Sequence, residues 1–166
     1  MIFLANRSNL QLRRLHRERI TNRFESDNVF SDVNFCRASI RSPGTYRVVT
    51  KVDARLFVDN ASYPTSEARI EVGFDHVASS DRDQYWINWI EPDRSLLIGW
   101  HQDETHPEYG EVHLQVSHKN TTVEHLPAEF IDSHPLDVLS RRLNQLPRTV
   151  EAVQWQNDRP IGFAFE

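Results

Sequence analysis

The stretch Trp100–Gln115, WHQDETHPEYGEVHLQ, brings three histidines together with one aspartate and three glutamates in sixteen residues. Imidazole is the side chain that both takes and gives a proton near neutral pH. His101, Asp103, His106, His113 and Gln115 are therefore the candidate catalytic residues. Two chemistries suit them. In the first, one neutral imidazole removes a proton while a protonated one returns it, as metal-free cleavage of RNA through the 2′-hydroxyl requires. Asp103 would then fix one ring's tautomer, and the Gln115 amide would orient His113 or support developing charge. In the second, histidines and a carboxylate hold a divalent ion whose water reacts. The spacing His101-x4-His106-x6-His113 matches none of the compact zinc motifs, so no metal or other cofactor is expected. His118, His125 and His134 read as surface or cap residues.

The elements around this stretch must bring those side chains to one place. In LIGWHQ, alternation sends Leu96, Ile98 and Trp100 one way and His101 the other. In EVHLQVSH, Val112, Leu114 and Val116 face inward, so His113 and Gln115 share the polar face with His101. The intervening loop exceeds the usual two to five residues of a hairpin, and long loops on rigid scaffolds often carry function.

Upstream, YRVVTKVDARLFVDN alternates from Val48 through Thr50, Val52, Ala54, Leu56 and Val58, which reads as one long half-buried strand. EARIEVGFD repeats the pattern with Ala68, Ile70, Val72 and Phe74 inward. DQYWINWIEP carries large residues on both faces, which implies a central position. Short connections between such strands imply an antiparallel meander of about five strands. Its apolar face needs a cover, and SHPLDVLSRRLNQL supplies one. There Ser133 or His134 can cap, Pro135 suits the first turn, Leu136, Leu139, Leu143 and Leu146 form a stripe, and Pro147 reads as a stop. The tail, with Trp155, Phe163 and Phe165, suits either an edge strand or a partner contact.

The net charge of −5 hides an asymmetry, because residues 1–23 carry six arginines against Glu18 and the remainder is strongly acidic. Ser8 or Asn9 can cap a helix there with Leu12, Leu15, Ile20 and Phe24 at loosely helical spacing. Arg13, Arg14 and Arg17 are the candidate nucleic-acid contacts of that arm, against the plainer reading of a solvated helix face. The segment 25–45, with Pro43-Gly44 as a turn signal, reads as an irregular connection. The expected organisation is a basic helical arm with its connection (1–45) and an α+β domain (46–166), with the antiparallel sheet covered on one face by the C-terminal helix. A chain of 166 residues buries roughly 70% of its unfolded surface. Cys36 is the single cysteine, which excludes an intrachain disulfide and a thiolate cluster and fits a reducing compartment. No stretch approaches the roughly 20 apolar residues that span a bilayer. A cytoplasmic protein without membrane partners is the expectation.

The order EARIEV, YWINWIE, WHQDETHPEYGEVHLQ, an acidic-proline spacer and a leucine-striped helix resembles the TumE-type toxins of prokaryotic toxin–antitoxin pairs and their uncharacterised archaeal relatives. The matching positions are Trp100, Asp103, His106 and His113, with Gln115 where a last histidine is often found. Glutamine cannot shuttle a proton, so that departure passes any acid–base role to His101. The resemblance covers roughly residues 46–146. It implies a ribonuclease-like toxin acting on RNA and neutralised by an antitoxin-like partner, with a homodimer also compatible. Two other functions remain open on the residues alone. Tyr85, Trp86, Trp89 and the aromatic tail would serve a non-catalytic docking module, and the arginine arm a non-catalytic nucleic-acid binder.

Overall fold

The computed structural model describes residues 9–37, 46–76 and 83–165. Alternation builds an antiparallel meander from β1 (Phe30–Arg37), β2 (Tyr46–Asp53), β3 (Glu67–His76), β4 (Asp83–Glu91), β5 (Leu96–Gln102), β6 (Val112–His118) and β7 (Thr121–Pro127), each paired with its neighbour in the chain. The class is α+β, and the both-faced strand β4 is central, as its residues implied. Two of the seven strands lie outside the expected five. β1 falls within the segment read as a connection, and β7 follows the last expected strand. Both are edges with little buried surface and with breaks in register, between Ser31 and Asn34 and between Val116 and Ser117. An edge strand held by backbone hydrogen bonds needs no period-two signature.

One face of the sheet is dry. Val48, Ile70, Ile87, Trp89, Ile98 and Leu114 point into it and are buried. Over it lies α1 (Asn9–Arg14), which passes through a π-helical turn (Leu15–Ile20) into α2 (Thr21–Glu25). Leu12, Leu15, Ile20 and Phe24 are buried in the core, as their spacing predicted. The π turn also buries His16, whose Nδ1 lies 2.6 Å from the Leu12 carbonyl while its Nε2 accepts from the Phe74 N–H at 2.9 Å. The β2–β3 ladder ends at Val48 and Val72, so the imidazole takes a backbone donor that pairing leaves over. Ser8 and Pro43-Gly44 lie outside the described residues.

The rest of the dry face is covered by α4 (Pro135–Glu151). His134 caps it by accepting the Leu136 N–H at 3.2 Å, and Leu139, Leu143 and Leu146 are buried. Pro147 does not end this helix, which continues to Glu151. A proline inside a helix costs about 3 kcal/mol, and burying Thr149 and Val150 in the following turn offsets it. Ala54–Val58 is likewise not strand but helix α3. Asp53 caps it through the Leu56 N–H at 3.0 Å, and Asp59 closes it in the left-handed region. The alternation there was fortuitous, since Leu56 is 65% exposed.

The tail forms a separate hairpin of β8 (Val153–Gln156) and β9 (Arg159–Phe163). Asn157 and Asp158 both have positive φ, the backbone of a two-residue hairpin turn. The Phe163 N–H donates to Glu124 of β7 at 2.7 Å, and the Arg94 guanidinium stacks 3.7 Å above the Trp155 ring. Arg94 also donates to Glu91 at 3.0 Å. Glu91 is fully buried and accepts in addition from Tyr63 and, at 2.8 Å, from Trp89. Among the described residues no helix is long and apolar enough to cross a membrane.

Candidate active site

The face of β4–β7 opposite the dry core carries the histidines. In the β5–β6 ladder His101 lies directly across from His113, and in the β6–β7 ladder Gln115 lies across from His125. The β5–β6 loop contains a 3₁₀ turn (Pro107–Tyr109) that folds His106 back over the strands. Its ring centroid is 5.2 Å from that of His113 and 4.3 Å from that of His125. His101 stands 5.4 Å from His113 and His125 stands 5.1 Å from it. The expected convergence of His101, Asp103, His106 and His113 thus occurs, and it occurs around His113.

His125 corrects the sequence reading, which placed it on the surface. It belongs to the cluster because β7 exists, and the strand that carries it was the one that alternation did not reveal. Gln115 faces the polar side as expected, but its Oε1 accepts from His125 Nε2 at 3.0 Å and its amide reaches Ser117 at 3.4 Å. His134 is the cap it was expected to be.

Hydrogen bonds fix three of the four rings. Nε2 of His101 lies 2.8 Å from Asn88 Oδ1, and Nδ1 of His106 lies 3.3 Å from Glu108 Oε1. An amide or carboxylate oxygen only accepts, so each ring, like that of His125, presents N–H to its partner and keeps a lone pair on its other nitrogen. Asn88 is itself set by packing, because a Cβ at Gly99 would collide with its side-chain oxygen. His113 differs from the others. It is 1% exposed, and neither ring nitrogen has a hydrogen-bond partner.

Burial holds His101 neutral, lowering its pKa to about 4, with the neighbouring His113 adding to the effect. His113 and His125 are lowered for the same first reason, loss of hydration. The Asp103 carboxyl is lowered: burial alone would raise it, but the Thr105 N–H at 2.9 Å and the nearby imidazoles outweigh that. Two sets of side chains offer ligand atoms within 4.8 Å of one another: His106, His113 and His125, and His101, Asp103 and His113.

Two depressions adjoin the cluster. A cleft of about 330 Å³ is lined by Asp83, Asp103, Glu104 and Glu111 beside Gln84 and Gln102. Along β6, a groove of about 520 Å³ begins at Gln115 and Ser117 and has Arg69 and Lys119 on its walls. Arg13, Arg14 and Arg17 line a shallow depression of their own on the helix that covers the opposite side of the sheet. They are not part of the cluster.

The chain matches no protein-family model, no curated protein and no solved structure.

Proposed function

We propose that the protein is a ribonuclease-like enzyme, and that the histidine cluster on β5, β6 and β7 cleaves RNA through the 2′-hydroxyl. The observation that carries this reading is the gathering of four imidazoles and one carboxylate around His113 on one open face. The TumE-like motif points to the same residues.

His101 is the base in this account. Its Nε2–H is committed to Asn88, so Nδ1 takes the proton of the 2′-hydroxyl. The 2′-oxygen then attacks phosphorus, the bond from phosphorus to the 5′-oxygen breaks, and the held proton passes to that leaving oxygen. The products are a 2′,3′-cyclic phosphate and a free 5′-hydroxyl. The groove that starts at Gln115 runs past Arg69 and Lys119, cations suited to the flanking phosphates. A toxin of this kind would be neutralised by a small partner protein that covers the cluster.

The test is incubation of end-labelled RNA with the full chain, followed by identification of the new ends. Cyclic phosphate ends are expected, and His101→Ala should slow their formation about 10²–10⁴-fold. An unchanged rate in that variant would remove His101 from the chemistry.

A further inference from the structure

The geometry points to a divalent transition-metal site of the zinc type, in which His106, His113 and His125 supply three nitrogen ligands and the fourth position opens to the cleft. The inference concerns the same cluster as the ribonuclease reading and adds an ion to it. His101, held by Asn88, remains outside the ligand set.

The first support is the state of His113. A buried polar atom without a partner costs about 1–3 kcal/mol, and buried polar atoms in folded proteins are almost always paired. His113 is 1% exposed and has both nitrogens unpaired. A lone pair aimed into a nest of imidazoles is satisfied by a cation and by little else, because neutral rings around it compete for the same hydrogens.

The second support is the outer layer of hydrogen bonds. Metal-bound histidines almost always donate their other N–H to a carboxylate or carbonyl oxygen, which fixes the ring and raises its basicity. His106 does so to Glu108 and His125 to Gln115. These bonds leave one bare nitrogen on each ring without any rotation of the side chain.

The third support is distance. Zinc–nitrogen bonds of about 2.0–2.1 Å place tetrahedral ligand atoms roughly 3.4 Å apart. The ligand atoms of these three side chains lie within 4.8 Å of one another, so closure around an ion needs a contraction of about an ångström. The compact zinc spacings did not reveal the site because its third ligand comes from a different hairpin, twelve residues beyond His113.

An ion here also answers an electrostatic difficulty. The cleft walls carry Asp83, Asp103, Glu104 and Glu111, and a phosphodiester approaching them is repelled. A bound divalent cation would reverse the sign of the field at the reacting phosphate and polarise its oxygen.

The choice of ligands rests on donor type. His106, His113 and His125 are three nitrogen donors, which suit zinc, cobalt or nickel, whereas His101 and Asp103 are each already engaged, with Asn88 and the Thr105 N–H.

The test is titration of the chelator-stripped full chain with Zn²⁺ by calorimetry, and with Co²⁺ by its visible absorption. One ion per chain is expected, with the strong visible bands of tetrahedral cobalt. His125→Ala and His106→Ala should each lose at least tenfold in affinity while keeping the wild-type circular dichroism. Gln115→Leu, which touches no ion, should lose about 10–100-fold, and Asp103→Asn should bind as wild type does. No binding by the wild-type chain would overturn the site. So would undiminished binding in His125→Ala, or a loss confined to Asp103→Asn. The measurement uses no RNA, so ion binding without cleavage would defeat only the ribonuclease reading, and cleavage without ion binding only the metal.

Discussion

His113 faces His101 directly across the β5–β6 ladder, with ring centroids 5.4 Å apart and planes nearly perpendicular, yet only His101 has a hydrogen-bond partner. One imidazole is held by its strand neighbour Asn88, and the other is held by packing alone. Such an asymmetry within one cross-strand pair costs stability, and function is the usual reason that proteins retain such a cost.

That cost should be measurable. In chelator-treated protein, His113→Leu should melt at or above the wild-type temperature, because it replaces two desolvated polar atoms by carbon of similar bulk. A fall of several degrees in thermal denaturation would show that His113 is satisfied in solution. The same substitution should abolish Zn²⁺ binding.

Gly99→Ala tests the support of His101. A Cβ at that position collides with the Asn88 side chain, so the amide must leave the ring it holds. Overpacking of this kind costs about 1–3 kcal/mol, to be read from the urea midpoint, and cleavage should fall well beyond what the loss of folded protein explains. Equal falls in both would mean that Asn88 has no part in positioning His101.

The pH dependence of stability should have one component from His16. Burial lowers its pKa, against smaller upward pulls from the Leu12 carbonyl and Asp75, so the folded state binds fewer protons than the unfolded state just below pH 6.5. Stability is therefore full above the unfolded value and is lost as pH falls through the folded one. In urea titrations, His16→Leu should flatten this part of the profile. It should also cost about 1–3 kcal/mol at pH 7.5 by leaving the Phe74 N–H and Leu12 carbonyl unpaired. An unchanged profile would assign the acid sensitivity to other groups.

The two sets of cations should behave differently toward RNA. Arg69→Ala with Lys119→Ala should weaken binding of a single-stranded RNA and reduce the salt slope by nearly two. Replacing Arg13, Arg14 and Arg17 should leave the cleavage rate unchanged, because those side chains lie on the helix over the opposite side of the sheet. Equal effects would extend the RNA path around the molecule.

Much of this architecture was legible because half-buried strands record their environment in alternation. Val112, Leu114 and Val116 announced β6 and thereby put His113 and Gln115 on the face of His101. The same logic failed for β7, where Thr121–Pro127 buries no residue fully and the pattern carries no period. With that strand unseen, His125 had no place beside His113, and the third ligand of the proposed metal site stayed hidden. In Ala54–Val58 the opposite error arose, because alternation continued past the Asp53 cap into a helix with Leu56 outside. An aspartate three residues before the N–H it caps was the available local signal. The pairing of the histidines with Asn88, Glu108 and Gln115 depends on tertiary register that spacing alone does not encode.

The most direct test of the account is cleavage of labelled RNA by the wild-type chain, before and after removal of metal and again with Zn²⁺ restored, beside folded His101→Ala and His125→Ala. The account predicts cyclic phosphate ends from the wild type, loss on chelation, recovery with Zn²⁺, and no comparable recovery in either variant. Absence of cleavage by the zinc-loaded wild type, or equal cleavage by both variants, would contradict it.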